Sequence, residues 1–177
     1  MKTPLVCIAA LWLTGCGFIA EATGGNARWP SDVLTVEPGG VYRHDLSEGA
    51  SIDLDWADSS TVACWTSNEN SNFDGAHLFF ATVQPADSVL TVAATPGANT
   101  DISLYLMQLP LDEAPVPPNV TSARSCDISA DYQYDSNPGE VEYITTLGYG
   151  DDVNVLIGIA GANGTVDGEF DLELYLE

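Results

Sequence analysis

Positive charge is what this 177-residue chain has least of: four Lys and Arg residues stand against 26 Asp and Glu, a formal net charge of −22. A nucleic-acid binder needs a cationic surface to displace counterions from phosphate, so that class is excluded. A basic amphipathic helix lying on anionic lipid is excluded on the same ground. Lys2 is the only lysine, which leaves Schiff-base and lysine-base chemistry without a residue beyond the first few positions. Histidine is nearly as scarce, with His44 and His77 alone. No GxSxG elbow, HExxH, phosphate-binding glycine loop or CxxC pair occurs. Long apolar runs are missing too. Residues 4–13 form an apolar stretch, but ten residues rise only about 15 Å, half of a ~30 Å hydrocarbon core. What is present is a 45% hydrophobic composition, enough for one packed domain.

The apolar stretch follows Met1 and Lys2 and ends in Leu13-Thr14-Gly15-Cys16. A short positive start and a short apolar run describe a signal peptide. The four residues that end it resemble the lipobox of bacterial lipoproteins, in which a large aliphatic and two small residues precede a cysteine. The resemblance implies cleavage before Cys16, lipidation of its thiol and a chain held at a membrane by several acyl chains. Gly17 follows where an Asp would favour inner-membrane retention in that family, so the resemblance points to the outer membrane or cell surface. A plain secretory signal cut near residues 20–22 is the alternative. The expected organisation is therefore a signal peptide over 1–15, a lipidated cysteine and flexible tether over 16–30, and a folded domain over 31–177. So high a net negative charge repels itself, and salt or divalent cations relieve that strain.

Past the tether, short β segments alternate with Gly, Pro, Asn and Asp. Strands are expected near 33–36, 41–46, 51–56, 61–66, 78–83, 88–94, 102–109, 142–147, 153–160 and 169–176. In 51–56 the alternation sets Ile52, Leu54 and Trp56 on one face and Asp53 and Asp55 on the other. Residues 153–159 are almost continuously apolar, as in a central strand. Residues 110–139 carry five prolines and read as one long loop. No amphipathic helix is expected after the signal peptide. The pattern predicts an all-β, antiparallel, jelly-roll-like β-sandwich. With Cys7 in the signal and Cys16 under lipid, Cys64 and Cys126 remain and are expected to form one disulfide, closing a loop of some sixty residues. Two buried free thiols are the alternative.

Residues 99–106 (Asn-Thr-Asp-Ile-Ser-Leu-Tyr-Leu) and 153–174, an apolar strand, a Gly161-Ala162-Asn163-Gly164 turn and an alternating strand, resemble the bacterial pre-peptidase C-terminal domain. Residues 39–56 fit the opening of that β-sandwich module. The resemblance implies its architecture and an expectation of binding a surface or a polymer. The Pro-rich insertion and the two cysteines depart from the family's pattern, as does the absence of an attached peptidase.

The candidate chemistry is calcium. Asn70, Asn72 and Asp74 offer oxygens at alternate positions before Gly75, the first half of an oxygen-ligand loop. Position twelve is Ala81 where a helix–loop–helix site needs Glu. Asp53, Asp55 and Asp58 form a second group, the first two on one strand face. His44 sits beside Asp45, but neighbours in a strand point to opposite faces and cannot pair. His77 is expected at a strand edge. Trp29, Trp56 and Trp65 are candidates for stacking on sugar rings, with Trp56 assigned to the core through Ile52 and Leu54. The function expected is a non-catalytic, lipid-anchored, extracytoplasmic interaction or accessory module, touching a surface protein or a polysaccharide. A calcium-dependent or lectin-like domain and a small secreted hydrolase are the alternatives.

Overall fold

A computed structural model describes residues 27–129 and 138–177. The expected signal peptide, Cys16 and the expected tether up to residue 26 lie outside the described residues, as does part of the Pro-rich segment. Ten strands are described: β1 (Val33–Thr35), β2 (Val41–Asp45), β3 (Ala50–Ser51), β4 (Ala76–Gln84), β5 (Val89–Pro96), β6 (Ile102–Leu109), β7 (Ser125–Ile128), β8 (Glu142–Leu147), β9 (Val153–Gly161) and β10 (Glu169–Leu176). They form two sheets. The six-stranded one runs β1-β4-β9-β6-β7, with β3 also on β4; the four-stranded one runs β2-β10-β5-β8. Every pairing is antiparallel except β1 on β4. This is the all-β sandwich that the strand pattern predicts.

The sheets pack through Phe80, Leu104, Ile157, Val92, Leu172 and their neighbours, a closed apolar layer. A two-sheet sandwich ordinarily leaves both outer faces wet, with alternate residues polar. Here β6 and β9 are buried along their whole length. The outer face of the six-stranded sheet is covered by a third layer of irregular chain. That layer brings Trp65, Phe73 and Val120 onto Tyr105, Met107 and Leu156. This is why residues 153–159 read as continuously apolar: both their faces meet protein. Gly158 belongs to the same arrangement, because a Cβ there would overlap the ring of fully buried Tyr105.

The third layer is where the expectations of strand fail. Residues 51–56 hold only the end of β3; the chain then turns into a short helix, α1 (Asp55–Ser59). Asp53 starts that turn by accepting the Asp55 backbone N–H at 2.9 Å. Asp53 and Asp55 therefore share no strand face, although Ile52, Leu54 and Trp56 do turn inward. Residues 61–66 are not a strand, and Ser67–Asn72 is a 3₁₀ turn. The capping pair Thr66 and Glu69 holds its start, the carboxylate taking the Thr66 backbone N–H at 2.8 Å. The Pro-rich segment is not wholly loop, since β7 lies inside it and pairs with β6. Finally, β9 and β10 belong to different sheets. The Asn163-Gly164 turn between them, with both residues at positive φ, is thus an arch across the sandwich and not a hairpin.

Candidate functional site

The disulfide Cys64–Cys126 is formed, with an S–S distance of 2.03 Å. It ties the third layer to β7, whose neighbour β6 supplies Tyr105 and Met107 to the floor beneath. The tryptophans follow the same layer. Trp65 is buried and stacks on Phe73 at 4.4 Å between centroids; Trp56 meets it edge-on at 5.4 Å, and Trp29 packs half-buried against the cluster. Trp65 thus offers no platform for a sugar.

His77 is not at a strand edge but 3% exposed beneath this layer. Its Nε2 lies 2.7 Å from the Phe73 carbonyl, which can only accept, so Nε2 carries the proton. In the neutral ring Nδ1 then accepts the Tyr105 hydroxyl at 3.0 Å. Burial pushes the imidazole down from its usual value to about 4, the Phe73 carbonyl opposing only in part. Burial likewise pushes the Tyr105 hydroxyl up. Both nitrogens are thus committed to holding the layer. His44 Nδ1 meets Glu48 Oε2 at 2.7 Å, while Asp45 turns away to cap the Ser47 backbone N–H at 2.8 Å. That cap holds the Asp45 carboxyl below its ordinary value. The hydroxyl that His77 faces belongs to fully buried Tyr105, and His44 faces only the Glu48 carboxylate.

Two of the calcium candidates, Asp58 and Asn70, one from each group, meet each other. Asp58 Oδ1 accepts from Asn70 Nδ2 at 3.3 Å, and Asp74 Oδ1 accepts the Gly164 backbone N–H at 2.6 Å. Asn72 ends the 3₁₀ turn. Among the described residues no three His, Cys, Asp or Glu side chains gather around one point.

The surface that remains open is the outer face of the four-stranded sheet. Strict alternation along β5, β8 and β10 sends Leu90, Ile144 and Leu172 inward and their neighbours to solvent. Register then orders the outward residues into rows. Arg43, Asp171 and Thr95 form one row; Val41, Glu173, Ala93 and Tyr143 form the next. Tyr175, Thr91 and Thr145 follow, then Val89 and Leu147. Tyr143 is 67% exposed and Tyr175 51%. The Thr91 and Thr145 hydroxyls meet at 2.9 Å, and the Tyr175 hydroxyl donates to the Glu173 carboxylate. Acidic residues lie on the β10 and β2 half. The one cation in these rows, Arg43, spends its guanidinium on both carboxylate oxygens of Asp171 at 2.8 and 2.9 Å. The β5 and β8 half carries no charge in these rows.

Buried amides hold β8 in place from behind. Gln84 Nε2 donates to the Thr146 carbonyl at 3.2 Å, and Gln108 Nε2 donates to the Leu147 carbonyl at 3.0 Å and to Gln84 Oε1 at 2.7 Å. The open face is therefore tied from behind to the other sheet. Alternation in the sequence points to the buried side of these strands and not to this face. The signal available was a tyrosine standing on the solvent side of two alternating strands.

No family model matches the chain, and no curated protein does. Among solved structures it is similar to the pre-peptidase C-terminal domain of a collagenase from Bacillus anthracis, at 8% identity and a TM-score of 0.42, over 83% of this chain and 98% of that one. It is also similar to PliG, a periplasmic lysozyme inhibitor of g-type lysozyme from Aeromonas hydrophila, at 9% identity and a TM-score of 0.42, over 82% and 96%. Likenesses this distant carry no ligand or partner across to this chain.

Proposed function

We propose that this protein is a non-catalytic binding module, exported and held at the bacterial envelope by lipid on Cys16, that works through the open face of its four-stranded sheet. The observation that carries the reading is the uneven covering of the sandwich. One sheet is covered inside by its partner sheet and outside by a disulfide-stapled third layer, while the other leaves Tyr143, Leu147 and Tyr175 in solvent. Ordered aromatic side chains left exposed are what binding surfaces use. The disulfide suits an oxidising compartment outside the cytoplasm.

Metabolic labelling with palmitate tests the anchor. The full chain takes up label and sediments with the envelope, whereas Cys16→Ser takes up none and is released. An unlabelled wild type overturns the anchored part of the proposal. The binding face is tested separately by Thr145→Arg, which plants a long cation in its middle without touching the core. That variant keeps its melting temperature and loses envelope contacts mapped by cross-linking on the wild type; unchanged contacts overturn the face.

A further inference from the structure

The rows of the open face differ in charge in a way that identifies what they fit. We propose that the β5 and β8 half is the centre of a docking site for a partner protein whose own contact surface has an apolar centre ringed by lysine and arginine. This inference rests on the binding-module reading and adds the chemistry of the partner to it.

Three observations carry it. First, the chain holds 26 acidic residues, yet the outward residues of β5 and β8 in these rows, Val89, Thr91, Ala93, Tyr143, Thr145 and Leu147, include none. The buried centre of a protein–protein interface is depleted of charge and enriched in tyrosine, and its rim is polar. Along the strands this centre spans on the order of 14 Å. Exposed Tyr149, 72% accessible, continues it past the end of β8.

Second, the rim is of one sign. Glu173 borders the uncharged residues on the β10 side, Glu177 pairs with Val89 itself through both backbone hydrogen bonds, and Asp87 lies two residues before Val89 in the chain. Arg43 is cancelled by Asp171. A partner with a cationic ring meets this rim favourably and is steered to it by a net charge of −22. A second copy of this chain would oppose like rims, and an anionic polymer would be repelled.

Third, the described chain begins on the opposite side. Trp29 packs into the third layer, beyond the six-stranded sheet, and β1 joins that same sheet. An attachment upstream of residue 27 therefore reaches the domain on the side away from the open face. That face is left free for a partner.

The test places the photo-cross-linker p-benzoylphenylalanine at position 143 or 175 of the full lipidated chain in its own envelope, with Asn68 on the third layer as the control position. Adducts are expected at 143 and 175 and not at 68, with one protein of isoelectric point above about 9. The purified pair should then lose about tenfold in affinity between about 0.05 M and about 0.5 M salt. Glu173→Lys should weaken binding by a similar factor mainly through the association rate, and Tyr143→Ala mainly through dissociation. Both variants should still unfold in one cooperative transition. Adducts with an acidic protein, with a second copy of this chain or with glycan overturn the partner assignment while leaving a binding face. No adduct at 143 or 175, or equal adducts at 68, overturns the face itself.

Discussion

Acid should loosen this protein through His77. In the fold the imidazole is sealed between Tyr105 and the Phe73 carbonyl, and its pKa falls from 6.5 to about 4. In the unfolded chain it protonates near its ordinary value. Between those two values the unfolded state binds more protons, so stability rises with pH across that window. The neutral ring's contribution is complete above about pH 6.5 and is lost as pH falls through about 4. A gap of roughly 2.5 pKa units at about 1.4 kcal/mol each makes this roughly 3 kcal/mol. For a domain of this size that is on the order of 6–12 °C in melting temperature. The comparison is with His77→Gln, whose amide can still reach the Phe73 carbonyl but does not titrate. The acidic residues protonate in both proteins, so their effect cancels in the difference. Urea unfolding at steps from about pH 7 to about pH 4 should show the wild type losing the advantage it holds over the variant. Parallel stability curves across that window would refute the argument, since a buried neutral imidazole cannot be indifferent to its own proton.

Other outcomes follow from the same architecture. Replacing Cys64 and Cys126 together by Ala should cost roughly 4 kcal/mol, the entropy of a loop 62 residues long; equal melting temperatures with and without reductant would contradict it. Gly158→Ala should destabilise by about 1–3 kcal/mol, because the Tyr105 ring must leave its place, and Tyr105→Leu in the same chain should recover part of that loss. Gln84→Leu should cost about 1–3 kcal/mol by stranding the Gln108 amide and the Thr146 carbonyl, measured by chemical denaturation. Raising sodium chloride from about 0.02 M to about 1 M should raise the melting temperature as screening relieves self-repulsion. Calcium should do no more than magnesium at equal ionic strength, since Asp53, Asp58 and Asp74 each serve a different local bond.

Much of the strand framework was legible because period-two alternation is a local property. Residues 102–109, 142–147 and 169–176 carry their strands within their own side chains, and β6, β8 and β10 occupy those spans. The two leftover cysteines announced their bond by being an even remainder. Residues 51–66 misled because inward and outward residues alternate there without a partner strand. An alternating segment with no edge to pair with satisfies its backbone in turns, here α1 and a 3₁₀ turn, and buries the same apolar residues as a layer.

The amino-acid sequence by itself determined the acidity, the all-strand character, the disulfide partners and the central place of residues 153–159, since composition and periodicity reside in the chain. Only the tertiary structure decided which sheet is covered and which is bare. That choice depends on where residues 52–74 and 110–126 settle, long-range packing that no local window contains. It turned His77 from an expected strand-edge residue into a buried one, and it left Tyr143 and Tyr175 as the aromatic rings of an open sheet face.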